Sequence, residues 1–91
     1  MATRLDDQEI ESRLPADWHR EGDEIVRTYE FDDYLAGVSF AVDVAELAEA
    51  EFHHPSIEIG YEEVTVRFTS HEEGGITDRD IEMAELSDEE R

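Results

Sequence analysis

The feature that most limits how this chain can fold is its charge, because 27 acidic residues stand against only 7 basic ones. A net charge of −20 on 91 residues makes the compact state repel itself. The hydrophobic content of 38% nevertheless falls into regular patterns, which is not typical of a disordered acidic chain. We therefore expect a folded protein in a salt-rich cytoplasm, where about 1 M salt screens charges beyond about 3 Å.

The same composition excludes several classes of partner and setting. Negative charge repels nucleic-acid phosphates and anionic membrane surfaces, and no apolar run approaches the roughly 18–20 residues of a membrane span. Residues 1–11 are polar and acidic, unlike a secretory signal. Cysteine is absent, so the chain has neither a disulfide framework nor a thiolate site. We expect one intracellular domain over residues 1–91, small enough for association to add stability.

Hydrophobic periodicity predicts the order helix, strand, strand, helix, strand, strand, helix. Helices are predicted over 6–14, 34–52 and 78–86, and strands over 18–22, 24–31, 57–61 and 64–69. Short connections of this kind are typical of an α+β fold, in which a four-stranded antiparallel sheet carries helices on one face. The acidic segment 87–91 is predicted to be a tail without fixed structure.

The longest predicted helix ends at two adjacent histidines and a proline. Five of its residues recur at spacings of four, four, three and four, and should face the core: Tyr34, Val38, Val42, Ala45 and Glu49. A carboxylate on that stripe costs free energy unless it has a partner. His53 lies at the i+4 position, within side-chain reach if the helix continues that far. Pro55 ends the helix, because the residue before a proline leaves the helical region.

Three of the four histidines are candidates for chemistry. His53 and His54 follow the long helix and His71 follows the last strand, so the two segments can meet in one cleft. Three imidazoles with a carboxylate would suit Zn²⁺, but no HExxH or HxH spacing aims them at one point. General acid–base chemistry matches better, because an imidazole with a pKa of about 6.5 exchanges protons near neutrality. The remaining histidine, His19, is predicted to be a surface residue.

An ordered set of residues gives the chain a resemblance to a known family. The set runs Glu49, three residues, His53-His54-Pro55, five residues, Tyr61, nine residues, His71, eight residues, Asp80. Trp18 after the first helix and the stretch GGITDRDIEMA after the last histidine belong to the same pattern. By these residues the chain resembles the pterin-4a-carbinolamine dehydratase family over nearly its whole length.

The resemblance implies a lyase that dehydrates 4a-hydroxytetrahydropterin to the quinonoid dihydropterin without a metal or another cofactor. Carried over by position, the catalytic residues are His53, His54 and His71, and the supporting residues are Glu49 and Asp80. The substrate-binding residues implied in the same way are Trp18, Phe52, Pro55, Thr69, Ser70 and Glu72. One imidazolium would protonate the leaving 4a-hydroxyl and a neutral imidazole would accept the N5 proton, with the assignment open. Glu49 would orient His53.

Several of these residues also have a structural interpretation. Trp18 suits the core as well as a pocket wall, and Asp80 fits a capping box with Thr77 at the start of the last helix. Tyr61 is expected to pack with its hydroxyl at the rim. Ile57 stands where the family often carries a bulky aromatic, so one wall of the pocket departs from the family pattern.

The resemblance further implies a homodimer or homotetramer, to which the last helix contributes. An alternative is a non-catalytic binding module, since some members of the family also act as dimerisation cofactors for a transcription factor. A metal-dependent hydrolase is a third interpretation, which stoichiometric bound zinc would support.

Overall fold

Seven helices and strands follow one another in the predicted order. In the computed structural model, which describes residues 3–91, the helices are α1 (Asp7–Arg13), α2 (Tyr34–Glu51) and α3 (Asp78–Glu89). The strands are β1 (His19–Glu21), β2 (Glu24–Glu30), β3 (Ser56–Ile59) and β4 (Glu63–Phe68), and a short 3-10 helix, His71–Glu73, precedes α3. Within this described part of the chain, none of the helices combines the length and the apolar character that a membrane crossing needs.

The four strands form one antiparallel sheet in the order β1-β2-β4-β3. In its central pair, Ile25 lies opposite Phe68 and Tyr29 lies opposite Val64. The apolar side chains at alternate positions of both strands point to the same face, where they are almost fully buried. The buried residues of the helices complete one core on that face. The predicted α+β fold, with helices on one side of a four-stranded sheet, is therefore confirmed.

β3 ends at Ile59, two residues before the predicted end of the strand. The backbone N–H of Gly60 donates to the carbonyl of Glu63 at 2.8 Å and closes a turn there. Tyr61 is left with 77% of its surface exposed, so the expectation that it packs against the protein is wrong. The error arose because Tyr61 keeps the two-residue period of the strand although the backbone has already turned.

The face of α2 that packs on the sheet is not the predicted one. Its buried residues are Gly37, Phe40, Ala41, Val44 and Ala48. The predicted stripe is exposed or half-buried instead: Tyr34, Val38, Val42, Ala45 and Glu49. The helix is apolar on more than one side, so spacing alone could not choose between its faces. Phe40 determines the orientation, since its ring lies 4.4 Å from that of Tyr29. Gly37 permits the close approach, because a Cβ there would lie 3.2 Å from Val64 Cγ2.

α3 extends to Glu89, three residues beyond its predicted end. Its last turn is fixed by Asp88, whose carboxylate accepts hydrogen bonds from Trp18 Nε1 at 3.1 Å and from the Tyr29 hydroxyl at 2.5 Å. Arg27 Nη1 is a third donor, at 3.0 Å. The prediction of a loose tail from residue 87 is therefore wrong as far as Glu89, because the buried aromatic donors need an acceptor here.

Removing the Asp88 carboxylate should destabilise the fold. In Asp88→Ala the Trp18 N–H and the Tyr29 hydroxyl lose their acceptor, and each unsatisfied buried group costs about 1–3 kcal/mol. We expect the free energy of unfolding to fall by about 2–4 kcal/mol in a urea titration at constant high salt. Glu89→Ala is the matched control, because exposed positions change stability by less than about 0.5 kcal/mol. Equal urea midpoints for the two variants would contradict this role of Asp88.

The same contact should make stability depend on alkaline pH. Burial and the hydrogen bond to Asp88 raise the pKa of the Tyr29 hydroxyl, so the folded state keeps a proton that the unfolded state releases above about pH 10. Stability from this group is complete below about pH 10 and declines as the pH rises further. The 7 basic residues are all arginine, so no lysine titrates in this range. We expect the urea midpoint to fall from about pH 9.5 to 11 in the wild type and much less in Tyr29→Phe; parallel slopes would refute this expectation.

Candidate active site

A cavity of about 520 Å³ opens where the end of β4, the corner after α2 and the first turn of α3 come together. Three of the four histidines line it: His53, His54 and His71. The other lining residues are Phe52, Thr69, Ser70, Glu72, Glu73 and Arg79. The two histidine-bearing segments thus converge on one cavity, whereas His19 lies exposed on β1.

His53 is held at its Nε2 atom by a buried carboxylate. The nitrogen lies 2.6 Å from Asp80 Oδ1, and only 14% of the histidine side chain is exposed. The ring is also nearly parallel to that of Phe68, at an angle of 11° and with 6.2 Å between the centroids. These contacts fix the ring, and among residues 3–91 Nδ1 has no hydrogen-bond partner.

Asp80 belongs to the capping box at the start of α3, and that prediction is confirmed. Its Oδ2 accepts from the Thr77 backbone N–H at 2.9 Å and from the Ser70 hydroxyl at 2.8 Å, and none of its side chain is exposed. The cap and the contact with His53 use different oxygens of one carboxylate. The sequence pattern showed only the cap, because a capping box already explains an aspartate at this position.

Glu49 contacts His54 and not His53, so the predicted pair of Glu49 with His53 is wrong. The i+4 relation fails because the helix has ended and Phe52 takes a left-handed backbone conformation, with φ of 53°. The His53 backbone N–H then donates to the carbonyl of Ala48, and the ring lies against α3. The side chains of Glu49 and His54 are 76% and 50% exposed, and such ion pairs in water contribute little to stability.

His71 lies in the 3-10 helix after β4 and is exposed. The loop that carries it is closed by two backbone hydrogen bonds between Ser70 and Gly75, of 3.1 and 3.3 Å. Gly74, with φ of 72°, supplies the left-handed residue on which this closure depends. Among the hydrogen bonds and ion pairs formed by residues 3–91, none involves the His71 imidazole, so both ring nitrogens can serve a ligand in the cavity.

Four of the six predicted substrate-binding residues line the cavity: Phe52, Thr69, Ser70 and Glu72. Trp18 does not, because its indole packs in the core, 5.9 Å from the ring of Phe68, and donates to Asp88. Pro55 is half-buried ahead of β3 and also lies outside the lining. The structural interpretation of Trp18 is therefore the correct one.

Two further lining residues, Glu73 and Arg79, were not predicted. Arg79 donates from Nη2 to the carbonyl of Glu51 at 2.6 Å, which joins the first turn of α3 to the end of α2. Its signals in the sequence are its position directly before Asp80 and its place within the stretch GGITDRDIEMA. A charged residue at a helix start is by pattern an ordinary surface residue, so only the tertiary arrangement brings it to the cavity.

The cavity presents side chains of a type that can exchange protons near neutrality. One imidazole is fixed by a buried carboxylate, a second pairs with an exposed one, and the third has no such contact with the residues that the structure describes. Over residues 3–91, no group of three or more histidine, cysteine, aspartate or glutamate side chains is placed to hold a metal ion. The metal-dependent hydrolase interpretation thus finds no ligand set in the described part of the chain.

Fold and cavity together define an α+β protein whose cleft presents imidazoles suited to acid–base chemistry. The sequence model described as Pterin 4 alpha carbinolamine dehydratase matches residues 3–90. A relative from Halobacterium salinarum, provisionally named pterin-4-alpha-carbinolamine dehydratase, is 56% identical over 100% of both chains. Another from Natronomonas pharaonis, with the same provisional name, is 57% identical over 98% of this chain and 97% of its own. The chain therefore belongs to the pterin-4a-carbinolamine dehydratase family.

Solved structures show the same fold. The crystal structure of a transcriptional coactivator/pterin dehydratase from Brucella melitensis has a TM-score of 0.89 and 29% identity, and covers 97% of this chain and 98% of its own. A pterin dehydratase-like protein identified as a RuBisCO assembly factor in the alpha-carboxysome has a TM-score of 0.65 and 19% identity. It covers 80% of this chain and 84% of its own, and the likeness extends to the fold alone.

Replacing Phe52, at the mouth of the cavity, with glycine should stabilise the fold. Phe52 combines a left-handed backbone with 83% exposure, so Phe52→Gly relieves backbone strain and loses little packing. We expect the free energy of unfolding to rise by about 1 kcal/mol in a urea titration at high salt. Phe52→Ala is the control, since it removes the ring but keeps a Cβ in the same conformation. If Phe52→Gly were no more stable than Phe52→Ala, the strain would not exist.

Proposed function

We propose that this protein dehydrates 4a-hydroxytetrahydropterin to the quinonoid dihydropterin, with imidazoles as general acid and general base. The observation that carries the proposal is the meeting of His53, His54 and His71, from two separate segments, in one cavity of about 520 Å³. Small-molecule sites measure about 300–1,000 Å³, so a bicyclic ring fits. Membership of the family supplies the class of substrate.

The proposed reaction removes water across the C4a–N5 bond of the pterin. The C4a–O bond breaks as an imidazolium donates a proton to the leaving hydroxyl, so that water departs. The N5–H bond breaks as a neutral imidazole accepts the proton. The electron pair of that bond then forms the C4a=N5 double bond. Exchange with solvent returns both imidazoles to their starting states. General acid–base catalysis of this kind typically accelerates a reaction by about 10²–10⁴-fold.

His53 is suited to be the base in this reaction. An ionised carboxylate only accepts hydrogen bonds, so Nε2 of His53 carries the hydrogen in the contact with Asp80 and Nδ1 can take the proton from N5. The buried carboxylate stabilises the imidazolium that results. His71 has no carboxylate contact within residues 3–91 and is suited to give its proton to the leaving hydroxyl, with the exposed His54 as the second candidate.

Other lining groups are suited to hold the pterin ring. The backbone near Phe52 and in residues 70–72 is proposed to bond its polar edge, as the family resemblance implies. Thr69 and Glu72 line the same cavity and would border the ring. We include no metal or other cofactor in the proposed reaction.

We also propose a salt-rich cytoplasm as the setting and a homodimer or homotetramer as the working form. The relatives from Halobacterium salinarum and Natronomonas pharaonis, each more than half identical, support the first proposal together with the net charge of −20. The second is supported by Leu35 and Val42 on the outer face of α2, which are 74% and 51% exposed. Association would remove such apolar surface from water.

The decay of a freshly generated carbinolamine, followed by stopped-flow absorbance at roughly 1 M KCl or more, tests the reaction directly. We expect the wild type to accelerate the decay, with and without a chelator. His53→Ala and His71→Ala should each lose about 10²–10⁴-fold in kcat. His19→Ala is the matched control and should be unchanged, because His19 is exposed on β1 and pairs with Glu21.

Full activity in both cavity variants would contradict the acid–base role. A folded wild type that does not accelerate the decay would favour the alternative of a non-catalytic binding module. Loss of activity on chelation, together with stoichiometric bound zinc, would favour the metal-dependent alternative.

A further inference from the structure

A buried line of hydrogen bonds lies behind the contact between Asp80 and the catalytic histidine. Ser70 and Thr77 are 4% and 0% exposed, and their hydroxyl oxygens lie 2.8 Å apart. Ser70 Oγ lies 2.8 Å from Asp80 Oδ2, and the Arg79 backbone N–H donates to Thr77 Oγ1 at 3.2 Å. The line connects the segment after β4 with the first turn of α3.

The chemistry of the two ends fixes the direction of every hydrogen in this line. The ionised carboxylate of Asp80 only accepts, so the Ser70 hydroxyl donates to it. The Ser70 oxygen then accepts from the Thr77 hydroxyl, whose own oxygen accepts from the Arg79 amide. Neither hydroxyl can rotate without leaving a buried polar atom unpaired, which is costly in a low-dielectric interior.

This arrangement determines which oxygen of Asp80 reaches the histidine. Oδ2 is occupied by the Ser70 hydroxyl and by the Thr77 backbone N–H, and Oδ1 is left for His53. A carboxylate held in this way cannot turn about its own axis without breaking two hydrogen bonds. It therefore presents a fixed acceptor to Nε2 of His53, and the ring nitrogen without the hydrogen is Nδ1.

We propose that the hydroxyls of Ser70 and Thr77 are positioning groups, which act in series through Asp80 to hold His53 in the tautomer with its hydrogen on Nε2. The inference rests on the proposed function of His53 as the base. In this proposal the Ser70 hydroxyl does not bind the substrate, because it is already hydrogen-bonded to Thr77 and Asp80. Thr77 acts on His53 only through Ser70 and Asp80.

The ¹⁵N NMR signature of the His53 ring tests this directly, at high salt and well above the ordinary imidazole pKa of about 6.5. We expect only the Nε2–H tautomer in the wild type and a mixture of tautomers in Ser70→Ala and in Thr77→Val. Thr77→Ser keeps the hydroxyl and should restore the single tautomer. Ser87→Ala is the matched control, because Ser87 is equally buried but its hydroxyl has no hydrogen-bond partner within the described chain.

Turnover provides the second measurement. Loss of an outer partner that orients a metal-bound histidine typically costs about 10–100-fold. By analogy we expect a loss of about that size in kcat, with KM unchanged, for Ser70→Ala and Thr77→Val. Thr77→Ser and Ser87→Ala should keep the wild-type kcat. Should Ser70→Ala not fold, the comparison of Thr77→Val with Thr77→Ser decides the question alone.

A single Nε2–H tautomer in Ser70→Ala and Thr77→Val would overturn the proposal, even if both variants were less active or less stable. That result would mean that the hydroxyls only support the fold. Because the NMR measurement needs no turnover, a wild type without dehydratase activity would refute the proposed function and would still allow the positioning role to be tested.

Discussion

The contact between His53 and Asp80 is the constraint on which the rest of the site depends. It joins the corner after α2 to the first turn of α3, and Arg79 makes a second connection to the last turn of α2 beside it. A buried carboxylate is destabilising unless its oxygens are satisfied. Asp80 is tolerated because Ser70, Thr77 and His53 all donate to it. The hydrogen bonds that satisfy the buried Asp80 carboxylate thus shape the cavity and orient the His53 imidazole.

An acidic chain of this size has to keep its carboxylates either in water or fully partnered. Asp80 and Asp88 are the partnered ones that organise the interior, one at the start of α3 and one at its end. On the open face of the sheet, Arg67 contacts Glu21 and Glu58 at 2.8 and 3.1 Å, and the hydrogen bond from Arg67 lowers the pKa of Glu21. The exposed carboxylates of the helices are solvated and screened by salt. The negative charge therefore lies mainly on the surface, although Glu72 and Glu73 line the cavity and Glu49 pairs with His54.

Sequence patterns predicted the features that depend on near neighbours in the chain, such as the alternation in β2 and β4 and the capping box of α3. They failed where a contact between residues far apart in the sequence decides between arrangements that local spacing allows equally. Phe40 selected the face of α2 that packs on the sheet, and the left-handed backbone of Phe52 broke the i+4 relation between Glu49 and His53. The true partner of His53 is Asp80, which is 27 residues away, and no local spacing could identify it.

The central claim is that imidazoles from two separate segments act on one pterin ring. A crystal structure of the protein with a stable dihydropterin, determined at high salt, is its most direct measurement. We expect the ring in the histidine-lined cavity, with His53 and His71 both within hydrogen-bond reach of its C4a–N5 edge. A ring bound elsewhere, such as in the cavity of about 450 Å³ beside Arg4 and Arg20, would contradict the claim.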